Sequence, residues 1–233
     1  MRVQLTHTAA NGLPAGVTAQ TDWSVTVDHP GNVADALGVS GVTMKYGRNE
    51  EIFGEGEAAT CAYRVLEGIV RTYRILADGR RQIAEFFLPG DVFGLQAGTE
   101  HSMSAEAVSD CEVVAIRRSQ LGERAMTEAA TAQKLWALTL HHLRRSEAHM
   151  LVLGRKSACE RVAWFLMDMS ERIPAPTCVT LPMSRQDIAD FLGLTIETVS
   201  RTMTQLQDDG LIELASCRSV VLRDRQALLD LAA

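Results

Sequence analysis

The chain has 233 residues, 46% of them hydrophobic, with 23 basic against 29 acidic side chains and a net charge of −6. That length holds one large or two ordinary domains, and no run of ~18 apolar residues exists to cross a membrane. Five cysteines (Cys61, Cys111, Cys159, Cys178, Cys217) are odd in number and scattered, which speaks against a disulfide framework and for reduced thiols in a cytoplasm. The opening MRVQLTHTAANGLPAG lacks the apolar core of a signal peptide.

Taken in chain order, residues 1–32 are polar and rich in Gly, Pro and Thr, the composition of a flexible arm, and a short helix is expected over 33–37. Strands are expected over 63–66, 69–76, 82–88 and 111–116, where residues alternate or are β-branched and aromatic. Gly68, Asp78-Gly79, Pro89-Gly90 and Gly98 punctuate them. Short strands at this spacing predict a small sandwich or barrel over 33–126.

Residues 127–153 contain no Gly or Pro and are rich in Ala and Leu, predicting a helix of roughly 27 residues, about 40 Å long. Its apolar residues cover more than one face. It is either a buried core helix or one that packs on the strands and on a second copy, with Leu135, Leu138, His142, Arg145 and His149 as the candidate seam. Gly154 is expected to be a hinge, opening a last domain over 154–233. Ser157 caps a helix over 158–172, and Pro174 and Pro176 stop it. Val162, Phe165, Leu166 and Met169 form its apolar face, which is expected to pack on the helices of the 181–214 segment.

Residues 181–214 carry the most information. Ser184 and Asp187 suit a capping box, Ile188, Phe191 and Leu192 recur at helical spacing, and Gly193 breaks the pattern as a C′ glycine does. Thr195 caps a second helix with Glu197 in its first turn and Val199, Met203 and Leu206 as its buried stripe. After Gly210, residues 211–214 and 219–222 read as a hairpin. A short turn, a second helix polar at its N-terminal end and an immediate hairpin describe a winged helix-turn-helix.

Residues 197 and 201 share a helix face. Arg201 can donate two bonds to guanine O6 and N7, and Glu197 can accept from cytosine N4; the two can also bridge each other. Ser200 and Ile196 can meet a neighbouring base or a thymine methyl, while Ser184, Arg185, Thr195 and Thr198 are placed for backbone phosphates. Net charge gives little help. From 184 to 225 there are five Arg (185, 201, 218, 223, 225) against seven acids (187, 190, 197, 208, 209, 213, 224), so affinity rests on a few placed arginines and on dimerisation.

The run Glu197-Thr198-Val199-Ser200-Arg201 resembles the E-x-x-S-R recognition signature of the Fnr branch of the Crp/Fnr transcription regulators. Upstream, EGE at 55–57, Gly68, DGRRQI at 78–83 and PGDVFG at 89–94 resemble that family's cyclic-nucleotide-binding-type β-roll, and the FixK-like group is the nearest in look. The resemblance implies an α+β chain: an N-terminal β-roll, a long dimerisation helix and a C-terminal winged helix-turn-helix. It further implies a cytoplasmic homodimer, with double-stranded DNA and RNA polymerase as partners. Such a regulator is an activator of low-oxygen, respiratory or nitrogen-fixation genes that reads a TTGA-type inverted repeat.

Relatives that bind cyclic AMP place a glutamate after a glycine for the ribose and an arginine further on for the phosphate. Here Leu95 follows Gly94, and no Arg or Lys occurs between Arg81 and Arg117. A buried phosphate without a bidentate partner is poorly compensated, so no cyclic nucleotide is expected. An iron–sulfur cluster needs closely placed thiolates, and no CxxC exists. His101 is expected to be a surface loop residue. Cys217, beside Arg218, and Cys159, near Lys156 and Arg161, are candidate redox thiols. No cofactor is expected. The alternatives are a haem-dependent, nitric-oxide-responsive regulator of denitrification genes and a small-ligand sensor whose helix-turn-helix mediates protein contacts. An enzyme is not expected, because no phosphate-binding Gly loop, HExxH or nucleophile elbow is present.

Overall fold

The computed structural model describes residues 40–173, 178–216 and 218–233. The expected arm, the short helix over 33–37, Pro174, Pro176 and Cys217 lie outside the described residues.

Eight strands build the N-terminal domain: β1 (Val42–Tyr46), β2 (Glu51–Phe53), β3 (Cys61–Glu67), β4 (Val70–Ile75), β5 (Arg81–Phe87), β6 (Val92–Phe93), β7 (Ser104–Ala107) and β8 (Cys111–Arg117). They form two antiparallel four-stranded sheets, ordered β1-β8-β3-β6 and β2-β7-β4-β5. Phe53, Val65, Val70, Phe87, Phe93 and Val113 fill the space between them. In β3, Tyr63 and Val65 turn to this core, while Ala62, of the other parity, lies on the opposite face with Val92 and Ile116. The β3–β4 turn requires glycine: Gly68 has φ +77°, and a Cβ there would lie 2.3 Å from the Asp110 carbonyl oxygen.

Helix α1 (Arg118–Thr127) leads into the 27-residue α2 (Ala129–Arg155). Leu138 of α2 and Leu121 of α1 close over Ala62, Val92 and Ile116 of the β-roll. Gly154 is not a hinge. It lies in the last helical turn of α2, and the chain leaves the helix at Lys156, where the backbone becomes extended. Ser157 caps α3 (Ala158–Arg172) in a full capping box with Glu160.

The C-terminal domain continues with β9 (Cys178–Thr180), α4 (Arg185–Leu192), α5 (Ile196–Asp208), β10 (Ile212–Leu214), β11 (Ser219–Leu222) and α6 (Arg225–Ala232). Strands β10-β11-β9 form a small antiparallel sheet. Val162, Phe165, Leu166 and Met169 of α3 pack with Ile188, Phe191, Leu192, Val199, Met203 and Leu206, and this cluster runs on into Ile83 and Phe86 of the β-roll. The two domains therefore share one apolar seam. Phe86 meets Phe191 with ring centroids 5.2 Å apart and Phe165 at 6.3 Å.

Candidate nucleic-acid interface

Local chemistry sets the α4–turn–α5 unit. The Ser184 side chain accepts from Asp187 N, and Asp187 Oδ2 accepts from Ser184 N at 2.9 Å, satisfying two of the helix's open donors. Gly193 ends α4 at φ 61°, ψ 39°, a left-handed conformation that a side chain would strain. Thr195 Oγ1 then accepts from Thr198 N at 3.2 Å and starts α5. Val199, Thr202, Met203 and Leu206 fix the buried face of α5. The opposite face presents Ile196, Glu197, Ser200, Arg201, Thr204 and Gln205 to solvent.

The structure thus brings the four predicted base-reading residues onto one exposed surface. The Glu197 carboxyl is held below its ordinary range by its own backbone N–H first, then by the Thr195 hydroxyl, with Arg201 the weakest influence. Glu197 and Arg201 form no ion pair with each other among the described residues. Ser200 Oγ donates to the Ile196 carbonyl at 2.8 Å, so its oxygen remains as an acceptor. Of the predicted backbone contacts, Thr195 is exposed, while Ser184, Arg185 and Thr198 are half-buried around the two helix N-termini. Arg218 of the hairpin is exposed, and Arg223 pairs with Glu213 at the surface.

Residues 160–231 match the model of the Crp-like helix-turn-helix domain, and residues 43–128 that of the cyclic nucleotide-binding domain. Over 94% of its length the chain is 46% identical to the nitrogen fixation regulation protein FixK of Azorhizobium caulinodans, covering 90% of that protein. The chain belongs to the Crp/Fnr family. It is a DNA-binding transcription regulator of FixK-like type, not an enzyme. A second FixK, from Rhizobium meliloti, is 42% identical over 89% of this chain and 94% of its own. The structure of FixK2 from Bradyrhizobium japonicum is 49% identical, covers 84% of this chain and 98% of its own, and superposes with a TM-score of 0.81. No helix among the described residues is long and apolar enough to cross a membrane.

Within this Crp/Fnr regulator, the stretch from Gly94 to Ala105 makes a set of contacts with the rest of the chain. Leu95 packs against the cluster of Ala62, Val92, Ile116, Leu121 and Leu138. Arg118, at the start of α1, donates to the carbonyls of Ala59 (2.6 Å), Gly98 (3.0 Å) and Gln96. His101 is not a surface residue. It is 2% exposed, stacks on Phe53 with centroids 3.6 Å apart, and its Nδ1 lies 2.9 Å from Gln96 Nε2. A ring wedged against an aromatic side chain removes more apolar surface from water than a loop histidine does.

The five residues nominated for the dimer seam are engaged by their own protomer. Leu138 is buried under the β-roll with Leu135 beside it. Arg145 pairs with Glu85 and Asp168, His142 Nδ1 lies 3.6 Å from Glu85, and buried His149 donates from Nε2 to the Phe191 carbonyl at 2.9 Å. The exposed large apolar residues of α2 are Trp136, Leu143, Met150 and Leu151. Trp136, Leu143 and Met150 lie seven residues apart on a side turned ~140° from Leu138, Arg145 and His149 at ~100° per residue. Cys159 also differs from expectation. Burial first, then Asp209 and Glu160, push its thiol up and disfavour the thiolate.

Proposed function

We propose that this regulator works in the cytoplasm as a homodimer on a TTGA-type inverted repeat. In this reading it activates low-oxygen, respiratory or nitrogen-fixation genes together with RNA polymerase and needs no cyclic nucleotide. The observation that carries the reading is the row of Ile196, Glu197, Ser200 and Arg201, exposed on a helix whose other face is locked into the core. A polar face so held can enter a major groove without reorganising, with Arg201 on guanine and Glu197 on cytosine. The names of the relatives, nitrogen fixation regulation proteins, support the gene class.

Ligand independence is supported by the cassette. Leu95 fills apolar space where relatives hold a ribose, and the Arg118 guanidinium is engaged by three backbone carbonyls. Dimer formation is supported by the outer stripe of α2, since Trp136, Leu143 and Met150 repeat at the heptad interval of a helix–helix seam. The test is a half-site scan. Each base pair of one half-site is replaced in turn and binding is measured by fluorescence anisotropy. A penalty of about 1–3 kcal/mol at the G·C pair is expected. Equal affinity for every replacement would contradict sequence reading.

A further inference from the structure

A second contact between the two domains, beside the aromatic seam, is ionic. Arg71, inside β4 of the β-roll, reaches Asp187 of α4 with Nη1 at 2.9 Å from Oδ1. Both side chains are 5% exposed. Arg71 Nη2 also lies 3.0 Å from Glu106 and 3.2 Å from Asn49 Oδ1. Arg81, at the start of β5, holds the same Asp187 oxygen at 2.5 Å and binds Asp190 Oδ2 through Nε at 2.8 Å. Gln82 Nε2 donates to the Phe191 carbonyl at 3.3 Å, and His149 donates to the same oxygen. Asp187 is at the same time the capping residue that pins the start of α4.

Two properties of this cluster matter. Buried ion pairs lose in desolvation much of what they gain by attraction, so they are weak sources of stability. They are strict about geometry, because a guanidinium must meet its oxygens in plane and at hydrogen-bond distance. The neighbouring contact of Phe86 with Phe165 and Phe191 supplies adhesion but little direction. The aromatic seam can hold the helix-turn-helix on the β-roll while letting it rotate; two arginines gripping two acidic positions of one short helix cannot. Since α4 carries α5 through the tight Gly193 turn, the grip fixes where α5 points relative to α2.

We infer that Arg71 and Arg81 are positioning residues for DNA recognition: by holding Asp187 and Asp190 they set the angle of the recognition helix, and so the half-site spacing that a dimer accepts. The inference rests on the dimeric reading above. Neither arginine belongs to the row that reads bases, so base choice and spacing choice should separate when the grip is removed.

The experiment uses the full chain and labelled duplexes with two TTGA-type half-sites at the optimal spacer and at two base pairs more or less. A second series carries single base-pair changes inside one half-site. Wild type should prefer one spacer by at least ~tenfold. In Arg71→Met/Arg81→Gln that preference should fall several-fold, while the penalty for a half-site base change stays as in wild type. Arg81→Gln alone, at a quarter-exposed position, should show a smaller loss of the same kind and keeps the test open if the double variant fails to fold. Arg81→Lys should restore part of the preference, because it returns the charge without the fork. Folded variants with undiminished spacing preference overturn the inference alone, as does a loss equal at every spacer and every half-site. Wild type without any spacing preference overturns the dimeric reading, and this role with it.

Discussion

At the residue scale, discrimination is assigned to Glu197 and Arg201. Arg201→Ala should cost about 1–3 kcal/mol on the preferred half-site and erase the difference between G·C and its replacements there. A loss uniform over all sequences would make Arg201 a phosphate contact. A second prediction concerns Glu85, which joins β5 to α2 through Arg145. Burial acts to raise its carboxyl, but His142 and Arg145 overcome it and hold the group at about 2, against an ordinary 4.5. A carboxyl depressed in the fold stabilises fully above its unfolded value and loses that contribution as pH falls from about 4.5 towards 2. Thermal melts across that window should show the wild type losing more stability than Glu85→Gln; parallel curves would remove Glu85 from the acid response. The exposed row of Ile196, Glu197, Ser200 and Arg201 is legible in the sequence because spacing on one helix face is a local property. His101 and Cys159 are not, because their surroundings, Phe53 in one case and Asp209 in the other, arrive from distant parts of the chain.

At the element scale, helices with local caps are legible almost to the residue. Ser157, Ser184, Thr195 and Gly193 stop or start helices through bonds to their near neighbours. The short strands β1, β2, β6, β7 and β9 and the helices α1 and α6 are not distinguished by pattern alone. A two- or three-residue strand is defined by its partner across the sheet rather than by its own sequence. The long helix is legible in extent, but its phase is not. Apolar residues on all sides let either face be the seam, and only the packing of Leu138 under Ala62 and Ile116 selects the inward one. The outer face gives a direct prediction. Trp136→Glu combined with Leu143→Glu should shift the protein from dimer to monomer in sedimentation. A chain whose mass is unchanged by the double substitution would place its interface elsewhere.

At the scale of the whole molecule, the net charge of −6 makes long-range attraction to DNA weak. Binding then depends on presenting a few side chains in a fixed frame. Three sets of contacts build that frame: the common apolar core from β5 through α3 to α5, the ion pairs of Arg71 and Arg81 with α4, and the packing of Leu95 and Arg118 at the start of α1. The missing glutamate and arginine are legible in the sequence, and so is the face of α3 that packs on α4 and α5; the grip on α4 is not. The domain contacts join residues 106 and 116 positions apart, a relation that no local pattern encodes.

The central claim is that this frame is competent without a bound effector. The most direct measurement is anisotropy on a TTGA-type inverted repeat with full-length protein, freed of small molecules by dialysis, before and after addition of cyclic AMP. Tight, sequence-selective binding is expected in the first titration and an unchanged curve in the second. Binding that emerges only after cyclic AMP is added would contradict the claim.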